Sequence, residues 1–246
     1  MNEAALAALV RRADPDRFLG AIFAPAALRR DLLLLYAFNH ELARAREVAS
    51  SGPLALIRLH WWREVVEGAR RDHPLAAALR ATLEKGTFDA GDLLGLIDAR
   101  EAEAEPVPDR AAFLAYARGT SGGLMRIAGR LLGAADDDGL AALGDLGTGY
   151  AIAAILRAAP ALRAAGRDLL PQDGAGTTAL IAAARPLLAA VPPRAALAAA
   201  LPAVLARRDL ARLERGVSLR PRGLPDRLAV IAAGFLGLGH SRSDGK

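Results

Sequence analysis

Cysteine is absent from all 246 residues, which excludes disulfides and thiolate metal sites and suits a reducing compartment. Aromatic residues are also few, at 4%. Ala, Leu, Val and Ile must therefore build the core, and the scarcity of β-branched and aromatic residues favours closely packed helices over a sheet. Lysine is nearly missing, with only Lys85 and Lys246 among 32 basic residues. Almost every cation is thus an arginine, always charged and able to grip a phosphate in a bidentate way. The charge-free runs Leu228–Gly239 and Ala195–Ala206 fall short of the ~20 apolar residues that a membrane span needs, and Pro202 interrupts the second. Glu3 stands where a signal peptide carries basic residues, so the N-terminus reads as a short helix. The expectation is a cytoplasmic protein, with the inner face of the membrane as a place of contact.

The net charge is +5 and the pI about 10.3. The arginine doublets at 11–12, 29–30, 70–71 and 207–208 are scattered, and no basic block is interleaved with aromatics. That pattern argues against nucleic acid and fits an anionic membrane surface better. Helix signals follow one another in regular order. Pro25 opens a helix running to about Ser50, Gly52-Pro53 opens one to about Arg71, and His73-Pro74 opens one to about Glu84. Asp89 and Asp109 are N-caps, the first for a helix reaching Glu103. Gly119, Gly122 and Gly123 weaken or break the helix after Asp109. Asp136-Asp137-Asp138 leads into a long helix ending near Pro160, and 161–176 reads as loop and as a candidate hinge. Further helices are expected at 177–191, 194–215 and 225–238. The whole of 1–246 reads as one all-α domain.

Few catalytic constellations present themselves. His40, His60, His73 and His240 are far apart in sequence, without zinc-ligand spacing, and read as structural or surface groups. Three adjacent aspartates at 136–138 point in different directions on a helix, and before one they satisfy free N–H groups.

Two segments carry more. Tyr36-Ala-Phe-Asn-His-Glu-Leu-Ala-Arg-Ala-Arg-Glu47 is followed by Ile57-Arg-Leu-His-Trp-Trp-Arg-Glu64, and Gly149-Tyr-Ala-Ile-Ala-Ala-Ile-Leu-Arg157 by Gly166-Arg-Asp-Leu-Leu-Pro171. Together with Phe23-Ala-Pro25 and Asp98-Ala-Arg100, they resemble the squalene/phytoene synthase family over most of residues 14–173. The resemblance implies an isoprenoid-synthase-like helical barrel or bundle around an apolar cavity. It also implies two aspartate-rich motifs on facing helices, whose carboxylates hold Mg²⁺ against a leaving diphosphate.

At those positions this chain departs from the family. The first motif's leading aspartates fall on Ala43 and Arg44, leaving Glu47 as its acidic residue, and the second motif's asparagine and aspartates fall on Ala154, Ala158 and Leu162. Alanine cannot coordinate Mg²⁺. A guanidinium in place of a carboxylate costs ~4 kcal/mol beside a cation 4 Å away at an effective dielectric of 20. Ala-Phe-Asn-x-Glu-Leu-Ala with Arg-Leu-x-Trp-Trp-Arg-Glu resembles the branch related to the mitochondrial complex I assembly factor of this fold, whose members lack the aspartates.

That likeness implies an accessory or assembly role for respiratory NADH dehydrogenase, with a protein partner among its subunits, membrane or isoprenoid-lipid contact, and no cofactor. An active prenyltransferase using Mg²⁺, and a non-catalytic isoprenoid-lipid-binding protein, are the alternatives. The candidate remnant pocket comprises Glu47, Arg58, Trp62, Arg157 and Arg167. Of these, Trp62 serves either core packing or a partner surface. Arg157 and Arg167 either grip a phosphate without a metal or sit in ion pairs. Glu47 can pair with Arg44.

Overall fold

Thirteen α-helices and no strand make up the described residues, 1–49 and 51–238, of the structure, a computed structural model. His240 and Lys246 lie outside those residues, as does Ser50. In chain order the helices are α1 (Glu3–Ala13), α2 (Pro15–Ala21), α3 (Ala26–Glu47), α4 (Gly52–Val66) and α5 (Pro74–Glu84). Next come α6 (Ala90–Glu101), α7 (Arg110–Ala117), α8 (Gly123–Leu131) and α9 (Asp137–Ala164). Last are α10 (Thr177–Leu188), α11 (Leu197–Ala200), α12 (Pro202–Glu214) and α13 (Leu224–Leu236).

Local chemistry sets most boundaries. The side chains of Asn2, Asp14, His73, Asp89, Asp109 and Asp136 each accept a hydrogen bond from a backbone N–H in the first turn of the helix they precede. Asp136 Oδ1 accepts from Gly139 N at 2.6 Å, while Asp137 and Asp138 occupy the positive first turn of α9. Helix α4 stops at Val66, short of the expected Arg71, because Gly68 turns the chain into the left-handed region at φ 107°.

The 194–215 segment is a 3₁₀ turn and two helices, divided at Leu201, with Pro202 in the first turn of α12. Proline has no N–H to carry a helix through that point. Pro160 does not end α9, which continues to Ala164; the missing N–H costs one ladder bond in a run of alanine and leucine that otherwise favours helix.

The glycines after α7 widen the helix instead of ending it. Residues Arg118–Gly122 form a π-helical turn between α7 and α8. A Cβ on Gly122 would meet Thr148 Oγ1 at 2.7 Å, and one on Gly147 would meet the Ser121 carbonyl at 2.4 Å. Glycine on both elements thus lets the backbone of α9 pack directly on the π-turn.

Helix α9 is long and apolar enough to cross a membrane by length and composition, but its apolar window is mostly buried inside the protein. It packs on the π-turn and on α7, α8, α10 and α12, while α3 packs on α1, α4 and α5. The buried stretch Leu32–Leu35, with Phe38 and Leu42, joins α3 to a hydrophobic cluster that extends from Leu6 to Leu238. The architecture is an all-α bundle, with α3 and α9 as the helices that bring the two sequence segments together.

Candidate functional site

A cleft of about 220 Å³ opens between α3, the π-turn and α9. Ala43 and Glu47 contribute from α3, and Ala154, Ala158 and Leu162 from α9. The positions that the family resemblance assigns to metal ligands therefore share one cavity. Arg44 is the exception. It is not on the cleft wall, and its guanidinium pairs with Glu41 at 3.2 Å, so the charge reversal expected there does not reach the cleft.

Guanidiniums reach the cleft from elsewhere. Glu103, on a 3₁₀ turn after α6 and only 4% exposed at its side chain, is the hub. Its Oε1 accepts from Arg100 Nη1 at 2.6 Å and from the Tyr116 hydroxyl at 2.7 Å, and its Oε2 accepts from Arg167 Nη2 at 3.0 Å. The Tyr116 oxygen in turn accepts from Arg100 Nη1 at 2.9 Å. Burial pushes Tyr116 above the ordinary tyrosine range, so it stays a donor. Burial also works against the charge on Arg100, but Tyr116 and Glu103 outweigh it and keep its pKa raised.

A second buried cation, Arg17 of α2, donates to Asp14 Oδ2 and Ser121 Oγ, each at 2.6 Å, and lies over the Tyr150 ring at 4.8 Å. Burial opposes its charge too; Asp14 and Tyr150 prevail and raise its pKa. Tyr150 is itself pushed well up by burial.

The five residues expected in one remnant pocket are distributed over three places. Glu47 and Arg167 line the cleft. Arg58 and Trp62 line a different groove of about 330 Å³ with Trp61 and His73. There Trp62 is buried edge-on against Phe38 at 5.5 Å and Trp61 at 4.8 Å. Arg157 lies outside both, bonding Asp209 Oδ1 at 3.1 Å and the Arg220 carbonyl. Asp209, fully buried, also accepts from Arg222 at 2.7 Å, and Arg222 bonds Asp16 at 3.1 Å.

Arg17, Glu103, Tyr116, Tyr150 and Ser121 are the cleft residues that sequence reasoning missed. Glu103 stands in the alternation Glu101-Ala-Glu103-Ala-Glu105, which reads as a solvated charge run, and Arg17 reaches Ser121 across 104 positions. The Tyr150 position was visible in the Gly149-Tyr motif.

These residues do not fit a magnesium–diphosphate cluster. Methyl and isobutyl groups stand at four of the five ligand positions on the cleft wall, Glu47 is the carboxylate left at the fifth, and the buried Glu103 is already neutralised by two arginines. No three His, Asp or Glu side chains among the described residues are grouped to hold a metal ion. Convergence of Asp98, Glu101 or Asp145 on Glu47 would have restored a donor set; Asp98 and Glu101 instead bind Arg63 at 2.5 and 2.8 Å, and Asp145 is not on the cleft wall.

The fold and sequence have close counterparts. A crystal structure of a dehydrosqualene synthase in complex with ligand superposes with a TM-score of 0.77 at 14% identity, over 94% of both chains. Squalene synthase HpnC from Alicyclobacillus acidocaldarius gives 0.67 at 21% identity, over 87% of this chain and 93% of that one. By sequence, the chain is 29% identical over 171 residues to NADH dehydrogenase (ubiquinone) complex I, assembly factor 6 of Mus musculus, and 27% identical to that of Homo sapiens. Each match covers 67% of this chain and 51% of the relative, so the chain spans about half the length of the curated relatives it matches. The squalene/phytoene synthase family model matches residues 10–178. The chain belongs to the squalene/phytoene synthase family.

Proposed function

We propose that this protein is a family member without metal-assisted prenyl transfer, acting as an accessory factor in the assembly of respiratory NADH dehydrogenase (complex I). The observation that carries the reading is the donor set of the cleft: Ala43, Ala154, Ala158 and Leu162 face it where the family motifs place aspartates and an asparagine to hold the metal. The likeness to complex I assembly factor 6 supports the choice of partner, a subunit of that enzyme. The reading takes 1–246 as one domain, supported by the packing of α10 and α12, beyond the family match, against α9. It places the protein in the cytoplasm at the inner face of the membrane.

Two experiments test it. Purified protein given farnesyl or geranylgeranyl diphosphate with Mg²⁺ should release no diphosphate above background, and chelator-sensitive release would reject the reading. Deletion of the gene in the native host should lower assembled NADH dehydrogenase and leave squalene and carotenoid levels unchanged. The reverse outcome would favour the synthase.

A further inference from the structure

Helix α13 lies beyond the family match and has apolar residues on two opposite sides. One side is covered: Val230 packs with Leu201 and Leu205, Ala233 joins them, and Asp226 is bound by Arg208 and Arg212. The other side is a stripe. Leu224, Leu228, Ile231 and Phe235 recur at spacings of four, three and four, which aligns them along one face of a helix. Leu224 is 67% exposed, Leu228 52%, Phe235 81% and the adjoining Leu236 78%. Phe23 meets Phe235 edge-on at 5.5 Å, and the exposed Ile22 lines a groove with Arg227 near the start of α13. A helix apolar on both sides with one side covered has a second environment to enter.

The charge beside the stripe identifies that environment. Asp226, the only acid in α13, is buried between arginines, so the outward face carries no negative charge. Arg227 borders the stripe, and Arg11 reaches the same rim from α1 across a mainly apolar groove of about 310 Å³ walled by Phe18, Leu19 and Ile22, whose two acids, Asp16 and Asp226, are each bonded to arginine. Arg222, also on that rim, is committed to Asp16 and Asp209. Arg11 and Arg227 are exposed and form no ion pair among the described residues. Protruding Leu and Phe side chains flanked by unpaired guanidiniums suit the boundary between phosphate headgroups and acyl chains.

We propose that α13 docks the protein on an anionic lipid bilayer, inserting Leu228, Phe235 and Leu236 while Arg11 and Arg227 bind headgroup phosphates. This surface is separate from the cleft and deepens the membrane placement of the proposed function, so its failure removes that placement and leaves the accessory role standing. The test is co-sedimentation of the full chain with vesicles of phosphatidylglycerol and phosphatidylcholine, against phosphatidylcholine alone. Binding should require the anionic lipid and weaken as salt is raised. The double variant Phe235→Ser/Leu236→Ser, exposed and therefore folded, should lose at least about tenfold in partitioning with an unchanged melting temperature. Arg11→Glu/Arg227→Glu should abolish the preference for anionic vesicles. A Phe235→Trp variant should add blue-shifted emission when those vesicles are present. Absence of wild-type binding, or serine-variant binding equal to wild type, overturns the proposal. So does a dimer in solution that the serine variant dissolves without any vesicle binding, which would assign the face to a second copy.

Discussion

Replacing Glu103 with alanine tests whether the cleft has been rebuilt around an internal salt-bridge hub. Glu103 accepts three hydrogen bonds, from Arg100, Arg167 and Tyr116, at 2.6 to 3.0 Å, and its side chain is 4% exposed. Its removal leaves two largely buried guanidiniums facing each other without a counter-charge. Breaking a buried pair from one side costs about 3–5 kcal/mol, because the stranded charge keeps its desolvation penalty. For a chain of this length, each kcal/mol moves the melting temperature by about 2–4 °C, so calorimetry should show a fall of about 6–20 °C.

The control is Arg63→Ala. It breaks the pairs with Asp98 and Glu101, whose acidic partners are far more exposed, and should cost no more than about 1 kcal/mol. Glu103→Gln keeps acceptor and shape but loses the charge, and should fall between the two. Arg100 and Arg167, freed in Glu103→Ala, become a phosphate site, so added phosphate should restore part of the lost melting temperature by binding the folded state. A fall in Glu103→Ala no larger than in Arg63→Ala would refute the reasoning, since the hub would then behave as solvated charge.

Gly147→Ala should destabilise by about 1–3 kcal/mol or more, measured by urea denaturation, because its Cβ would sit 2.4 Å from the Ser121 carbonyl and neither backbone can yield cheaply. Asp136→Ala removes the N-cap of α9 and should cost about 1 kcal/mol in the same assay. Burial would raise the Asp226 carboxyl, but its bonds to Arg212 and Arg208 prevail and hold it down at about 2, below the ordinary 3.8. A depressed carboxylate stabilises the fold above its unfolded pKa and loses that contribution as pH falls through the folded one. Asp226→Asn should therefore cost about 2 kcal/mol at neutral pH, and its stability deficit should close between about pH 4 and pH 2. A deficit that persists unchanged at low pH would show that the carboxylate's charge is not the source.

What the chain discloses about itself divides along the distance over which each feature is determined. The caps at Asp89, Asp109 and Asp136 and the helix opened by His73-Pro74 depend on contacts three residues apart, and they stand where the sequence reading puts them. The Arg167 arm of the Glu103 hub and the Arg17–Ser121 bond join elements far apart in the chain, and no local pattern announces them, although the Arg100–Glu103 arm is a local pair three residues apart.

Between these extremes, helix register decides. At about 100° per residue, Ala43 and Glu47 share a face of α3, while Arg44 is turned about 100° from Ala43. Ala154, Ala158 and Leu162 likewise share a face of α9, and Arg157 points about 100° away from Ala158, toward Asp209. The motif resemblance puts Arg44 on a leading-aspartate position and Arg157 beside the second motif; the helical period turns both away from the cleft. The same arithmetic strengthens the functional argument. Because residues 43, 47, 154, 158 and 162 do line one cleft, the frame that would aim metal ligands at a cation is intact, and only the ligand side chains are gone from four of the five positions. The loss is therefore one of donor chemistry on a preserved scaffold, which is why fold and family pattern align this chain with synthases while its cleft argues against their reaction.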